Sequence, residues 1–207
     1  LANFTVSNAL TLGNDISYTF GNLTIASGGT LTFDSNPVAG TGATITATNI
    51  TIDNGGVLTV SGKGYHSGDP NAPGLGTGNS VRGAGGGHGG RGGDTAAQYL
   101  GIGGPKYGSA TAPVTLGSGG AKVSADGSGG GALKINLSGT MTVNGTFSAD
   151  GNSAGSNAAE RGAGAGGSLW INGGTLAGSG TIRANGGTAG TGGGAGGGGR
   201  IALDVTA

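Results

Sequence analysis

Aspartates are the residues of this sequence with the clearest catalytic potential. Carboxylates could serve a polysaccharide lyase, or a glycosidase, which needs two of them about 5 to 10 Å apart. Asp34 and Asp53 each end a strand-like segment and could be neighbours, but no basic residue stands beside either of them. The other acidic residues are Asp15, Asp69, Asp94, Asp126, Asp150, Glu160 and Asp204. Most of them adjoin Gly, Asn or Ser, as turn-forming Asp does, so we expect no enzymatic activity.

The two histidines lack the neighbours that a metal site requires. His66 lies in YHSGDP and His88 in GGGHGGRGG, and neither has a second His or a carboxylate at a metal-binding spacing. The sequence contains no phosphate-binding loop and no EF-hand. Gly-x-Ser-x-Gly occurs once, at 151–155, without the strand-to-helix setting of a nucleophile elbow, and Gly-Gly-x-Gly-x-Asp occurs once, at 89–94, without tandem repetition. We therefore expect structural or surface histidines and no cofactor. Calcium bound by turn aspartates is the less favoured alternative.

Aromatic side chains are the candidate contacts for a partner or a glycan. Trp170 lies between Leu169 and Ile171, so alternation directs its side chain away from a core. Exposed aromatic residues mark partner or sugar contacts more often than exposed Leu. The other candidates, in the glycine-rich middle of the chain, are Tyr65, Tyr99 and Tyr107. In the alternative, a glycine layer or a second subunit covers Trp170, and the tyrosines pack over glycine backbone.

Threonines raise the alternative of a protein that binds ice or a crystalline polysaccharide. The segments TLT, TIT and TMT place threonine pairs on the outward side of strands. A flat array requires the same pair in every repeat, and Val57 replaces Thr30 in the next repeat. Because β-propensity alone accounts for threonine in strands, this function is less favoured.

These residues are positioned by β-strands that repeat. NLTIASGGTLTF, which starts at Asn22, and NITIDNGGVLTV, which starts at Asn49, superimpose without a gap and alternate apolar with small polar residues. This pattern predicts an all-β fold, a right-handed parallel β-helix or solenoid in which coils bury one another's apolar faces. A β-sandwich is the alternative, since SGG and NGG also suit hairpin turns.

The second half repeats a unit of glycines followed by a strand, starting at Gly129, Ala165 and Gly196. The glycine runs keep step with the strands, which favours polyglycine II-like segments packed beside the coils over flexible loops. We divide the chain into strand-rich coils at 1–62, a glycine-rich insertion at 63–131 and glycine-then-strand coils at 132–207. Together these form one continuous elongated domain.

Composition excludes several functional classes. Nine basic and nine acidic residues cancel, so no basic footprint for nucleic acid is present. No apolar stretch approaches the roughly 18 residues of a membrane helix, so we expect no membrane insertion. Disulfides and thiolate metal sites are excluded because the chain has no cysteine.

A resemblance adds to this interpretation. GKGYHSGDPNAPGLGTGNSVRGAGGGHGGRGG, GGGALKINLSGTMTVNGTFSADG and GAGGSLWINGGTLAGSGTIRANGG resemble glycine-rich β-solenoid segments of large secreted or surface-attached bacterial proteins. The resemblance covers roughly residues 60 to 205 and rests on spacing and composition. It implies an extracellular or cell-surface location and a role as stalk, adhesin scaffold or matrix component. Extracellular polysaccharide is a further candidate partner, through the aromatic residues named above.

Strand edges complete the set of candidate sites. LANFTVSNALTL and RIALDVTA both have strand-like patterns, contain no proline and carry few charges. Unpaired edges of this kind favour pairing with another copy of the chain. The predicted edge residues are Phe4, Val6, Leu10, Ile201, Leu203 and Val205. We expect a structural protein that stacks through these edges into a fibre, stalk or matrix, unless the chain is an internal slice of a longer solenoid.

Overall fold

The computed structural model describes residues 1–13, 17–77, 83–121, 127–154 and 161–206. Within these ranges the fold is all-β, with thirteen strands and one short 3₁₀ turn, Ala97–Tyr99. The strands are β1 (Phe4–Val6), β2 (Ala9–Leu12), β3 (Ser17–Ile25), β4 (Thr30–Phe33), β5 (Ala43–Ile52), β6 (Val57–Thr59), β7 (Ala132–Leu137), β8 (Thr140–Val143), β9 (Thr146–Ser148), β10 (Ser168–Asn172), β11 (Thr175–Ala177), β12 (Thr181–Arg183) and β13 (Arg200–Asp204). No helix in the described ranges is long and apolar enough to cross a membrane.

The strands form three rows of parallel neighbours. The first row contains residues 17–20 of β3 and 43–47 of β5, followed by β7, β10 and β13. The second row contains β1, residues 22–25 of β3 and 49–52 of β5, then β8 and β11. The first two rows make an eight-stranded sheet. The third row, β2, β4, β6, β9 and β12, is a separate five-stranded sheet.

Along the sequence, the chain visits the first, second and third rows in that order and then returns to the first. The predicted superposition of the two repeats is confirmed, because Leu23 pairs with Ile50 and Leu31 with Leu58. The SGG and NGG doublets connect strands of different sheets and close no antiparallel hairpin. Between β6 and β7 lies the long glycine-rich insertion, yet β5 pairs directly with β7 and β6 with β9. The insertion therefore leaves the pairing continuous.

The main apolar core lies between the two sheets. Alternate residues of the strands point into it, as the period of two requires, and Ile25, Ile45 and Phe147 are fully buried there. Residues from all three rows belong to one cluster. Full burial of a side chain of this size contributes about 1.5–3 kcal/mol, so the stacked strands stabilise one another through the core.

Asparagines line the outer side of the second row where it meets the first. Asn49 Nδ2 donates to Asn22 Oδ1 at 2.8 Å, and Asn22 Nδ2 donates to Asn3 Oδ1 at 3.0 Å. Identical amides can bond in this way only where successive strands are in register. The ladder therefore adds side-chain hydrogen bonds to the backbone pairing.

Three glycine-rich segments connect the third row to the first, at residues 60–131, 149–167 and 184–199. Because they leave and return between the same two rows, they lie beside one another. Hydrogen bonds join the three backbones in a cycle. Gly86 N donates to Ala163 O and Ala163 N to Gly194 O, both at 3.0 Å. Gly194 N closes the cycle by donating to Gly83 O of the first segment at 3.1 Å. We call this set of packed segments the glycine bundle.

Close approach of backbones explains why these segments are glycine. A Cβ on Gly85 would overlap the carbonyl oxygen of Ala195, and one on Gly120 would overlap the carbonyl oxygen of Gly162. Chains this close can form both N–H···O=C and Cα–H···O contacts. Any side chain at such a position must push a neighbouring backbone away.

This packing predicts a sharp difference between two glycines. The substitution Gly85→Ala should lower the free energy of unfolding by about 1–3 kcal/mol or more, the usual cost of overpacking. At Gly198 a Cβ would meet nothing within 4 Å, so Gly198→Ala should change it by less than about 0.5 kcal/mol. Denaturant unfolding of both variants measures the effect. Equal stabilities of the two variants would contradict the packed bundle.

Candidate functional site

Five of the six described aspartates are engaged in ion pairs or turns, and the sixth, Asp204, lies at the end of β13. Asp34 has a basic partner that its sequence neighbours did not reveal: Lys63 Nζ lies 2.7 Å from Asp34 Oδ1. The expectation that no basic group is near Asp34 was therefore wrong, because the partner is brought in by the fold. Asp53 closes a turn through its backbone, accepting from Gly56 N at 2.8 Å.

Other described acidic residues have similar structural roles. Asp150 Oδ2 lies 2.7 Å from Arg183 Nε, and Asp94 Oδ1 lies 2.6 Å from Arg91 Nη2. Asp69 Oδ1 accepts from the backbone N–H of Asn71 at 2.9 Å. No group of three potential metal ligands occurs in the part of the chain that the structure describes. The acidic residues Asp15, Asp126 and Glu160 lie outside the described residues.

His88 is the most buried ionisable group within the glycine bundle and is fully inaccessible to solvent. Its Nδ1 lies 2.8 Å from Gly166 O, and its Nε2 lies 2.9 Å from Thr115 Oγ1. Because a carbonyl only accepts, Nδ1 carries the proton and Nε2 accepts from the threonine hydroxyl. Burial lowers the pKa of His88 from 6.5 to about 4, and the nearby charge of Arg200 also acts to lower it. The imidazole is therefore a neutral structural group.

Residues 107–115, here called the strap, are fixed to this histidine. Tyr107 packs its ring on His88 with centroids 4.8 Å apart, and its hydroxyl donates to Leu116 O. Arg200 Nε donates to Tyr107 O at 2.9 Å. Burial raises the pKa of the Tyr107 hydroxyl above its usual range. At the other end of the strap, Ser168 Oγ donates to Thr115 O at 2.6 Å.

Trp170 lies on the outer side of the first row, between Lys134 and Ala202 in register. Lys134 Nζ sits 4.1 Å from the centre of its ring, a cation–π contact. The indole Nε1 is inaccessible to solvent and has no hydrogen-bond partner among the described residues. Two clefts lie on either side of the tryptophan. Val114 of the strap and Lys134 line one of them, and Thr111 of the strap and Ala202 line the other. The tryptophan points outward as predicted, and a lysine occupies one side of its ring.

The tyrosines are placed differently from one another. Tyr65 is buried and packs in a small cluster with Leu116 and Ala132, and burial raises the pKa of its hydroxyl. Tyr107 holds the strap. Tyr99 ends the 3₁₀ turn and is partly exposed. Tyr65 and Tyr107 thus pack against the glycine bundle, and a glycan contact at the four aromatic residues stays a prediction.

A threonine column in the second row is longer than the two superimposed repeats indicate. The predicted break between Thr30 and Val57 in the third row is confirmed. In the second row, however, threonines occupy the same outward position in four successive strands. They are Thr5, Thr24, Thr51 and Thr142. Aligning NFT at residues 3–5 with NLT and NIT of the repeat would have found this column.

The predicted edge residues lie at the two open sides of the sheets. Phe4 and Val6 belong to β1 and Leu10 to β2, which begin the second and third rows. Ile201 and Leu203 belong to β13, which ends the first row, and are 40% and 50% exposed. Of the other members, Val6 is buried, Phe4 is exposed, and Leu10 and Val205 are partly buried. Each of these edge strands has a neighbour on one side only among the described strands.

Comparison with protein-family models, curated proteins and solved structures gives no match for this chain. Functional assignment therefore rests on the geometry of the chain itself. That geometry comprises the continuous rows, the glycine bundle with its buried histidine, and the open edges.

The buried histidine predicts acid sensitivity. Since the pKa of His88 is about 4 in the folded chain and about 6.5 when unfolded, its contribution to stability is fully present above pH 6.5. Stability should fall as the pH drops from 6.5 towards 4, because the unfolded chain takes up the proton first. The loss attributable to His88 is about 3 kcal/mol, measured by denaturant unfolding at several pH values.

His66, which is exposed, provides the matched control. The substitution His88→Gln should make the loss of stability between pH 7 and 4 smaller by about that amount, whereas His66→Gln should leave it unchanged. An identical loss in both variants would show that His88 does not control the acid response.

Proposed function

We propose that this chain is a structural element of an extracellular fibre, stalk or matrix and that it stacks through its strand edges. The observation that carries the proposal is the continuous in-register stacking of parallel strands in three rows, whose outermost described strands keep one side unpaired. Such edges pair readily with further strands unless charge, proline or a covering element blocks them. The role is mechanical and involves no catalysis, cofactor or nucleic acid.

The proposed architecture is a right-handed parallel β-solenoid. Support comes from the constant order in which the chain visits the three rows and from their shared core. Right-handed crossover is the strong preference for parallel strands joined within one sheet. The glycine bundle would then run along one corner of the solenoid as polyglycine II-type helices, each bonded to several neighbours. The cyclic hydrogen bonds between its segments support this assignment.

The surface of the chain is compatible with close packing of copies. Charged residues make up 9% of the sequence and the formal net charge is zero, so long-range repulsion between copies is weak. Asp34, Asp94 and Asp150 each form an ion pair with a lysine or an arginine, so their charges are balanced locally. Location outside the cell is proposed from the resemblance to segments of secreted and surface-attached proteins.

Filament formation tests this function. Purified chain examined by electron microscopy and light scattering should form filaments as its concentration rises. The double substitution Ile201→Lys with Leu203→Lys should abolish them, because it places two charges on the exposed side chains of β13. Val38→Lys is the matched control, since Val38 is 93% exposed and lies outside the strands.

Deleting residues 1–12 should also abolish filaments, since it removes β1 and β2. A chain that stays monomeric at high concentration would refute self-assembly. Filaments that persist in the double-lysine variant would exclude β13 as the contact.

A further inference from the structure

The strap passes over Trp170 on the outer side of the first row. On one side of the tryptophan, Val114 of the strap and Lys134 line a cleft. On the other side, Thr111 of the strap and Ala202 line a second cleft. Because Trp170 pairs in register with both Lys134 and Ala202, the strap between these two clefts crosses the strand that carries the tryptophan. The strap is therefore the outer cover of this side chain.

Hydrogen bonds hold the strap at its ends, whereas its middle is bonded locally. Ala112 N donates to Ser109 Oγ at 3.1 Å, inside the strap itself. Tyr107 is fixed at one end, where its ring packs on His88. At the other end, His88 Nε2 accepts from the hydroxyl of Thr115. One buried imidazole therefore contacts both ends of the strap.

Two features oppose the closed position of the strap. The indole Nε1 of Trp170 is buried and has no hydrogen-bond partner among the described residues. Burial of a donor without an acceptor costs free energy, which is recovered when water reaches the donor. Gly108 directly follows the fixed Tyr107 and has a φ of 80°, and glycine changes its backbone conformation more freely than other residues. The strap thus has a hinge beside its fixed end.

We infer that residues 108–115 of the strap form an acid-released cover over Trp170, held closed by the hydrogen bond from Thr115 to neutral His88. The strands and the glycine bundle stay in place when the cover opens, because Tyr107 and Leu116 keep their buried contacts on either side of it. Opening of the cover is independent of stacking between copies of the chain.

Protonation of His88 removes the contact that holds the cover. Neutral Nε2 accepts from the Thr115 hydroxyl, whereas the protonated imidazole only donates. Arg200 is the charged group beside it: a Cβ on Gly108 would lie 3.3 Å from His88 Nε2 and 3.5 Å from Arg200 Nε. Two cations this close in a buried place repel each other strongly. Tyr107, the other titratable group in contact with the imidazole, stays neutral because burial raises the pKa of its hydroxyl.

The direction of the pH effect follows from the access of water to His88. With the cover closed, burial holds the pKa of His88 at about 4. With the cover open, Nε2 meets water and the pKa returns towards 6.5. Acid therefore favours the open position, by up to about 300-fold between pH 6.5 and 4. Above pH 6.5 the imidazole is neutral in both positions and has no effect. The glycine segment at 162–167, which bonds Nδ1, contains no ionisable side chain.

Quenching of tryptophan fluorescence by acrylamide tests the cover, because Trp170 is the only tryptophan of the chain. Acrylamide is uncharged, so Lys134 neither attracts nor repels it. The quenching constant should rise severalfold and reversibly between pH 6.5 and 4, the interval set by His88, while the far-UV circular dichroism of the strands stays unchanged. A rise that coincides with loss of the strand signal would show global unfolding and overturn the inferred cover. A quenching constant that does not change with pH would overturn it as well.

Substitutions separate the cover from general acid effects. His88→Gln should remove the rise in quenching, whereas His66→Gln should leave it intact. An equal rise in both variants would contradict control by His88.

Thr115→Val covers the case in which His88→Gln fails to fold. It keeps the size of the side chain but removes the hydroxyl that donates to His88. Acrylamide should therefore quench this variant more strongly than the unsubstituted chain already at neutral pH. Thr111→Val, in the middle of the strap, is the matched control and should behave like the unsubstituted chain. Equal quenching of the two valine variants would overturn the role of the bond between Thr115 and His88.

Discussion

In-register parallel pairing is the constraint on which the rest of this structure depends. Within a row, each inner strand pairs with the strand of the preceding repeat and with that of the following repeat, so equivalent residues form columns on both sides of the row. Inward columns join into one core, and outward columns align groups such as Asn22 and Asn49 within hydrogen-bonding distance. Because every column extends to the outermost strands, the same constraint defines the chemistry of the open edges.

The glycine bundle is a second consequence of that pairing. The three glycine-rich segments all connect the third row to the first, which brings their backbones close enough to bond to each other. Ordering glycine costs more entropy than ordering other residues. Each backbone hydrogen bond makes a net contribution to stability of about 0.5–1.5 kcal/mol. These bonds offset the entropy cost only if neighbouring backbones can approach without side chains between them. A Cβ atom added to Gly85 or Gly120 would overlap a neighbouring carbonyl oxygen, which shows how little space remains between the backbones.

The ionisable and aromatic side chains that could do chemistry instead connect the glycine bundle to the strands. His88 forms hydrogen bonds through both ring nitrogens. Tyr107, the first residue of the strap, packs its ring against that of His88. Lys134 covers one side of the Trp170 ring instead of facing an acidic partner. Asp34 and Lys63 join the end of β4 to the start of the long insertion. These contacts hold the described parts of the insertion against the rows of strands.

The all-β character, the inward residues of the strands and the superposition of the repeat at Asn22 on the repeat at Asn49 can all be predicted from the amino-acid sequence. These follow from period-two alternation and from similarity between neighbouring repeats, and both are local properties. Tertiary structure alone decided that Lys63 reaches Asp34, that Thr115 and Gly166 enclose His88, and which glycine segments bond to one another. The physical reason is that glycine runs carry no side-chain pattern. Their partners are selected by where the rows bring the backbones together, and no single segment encodes that position.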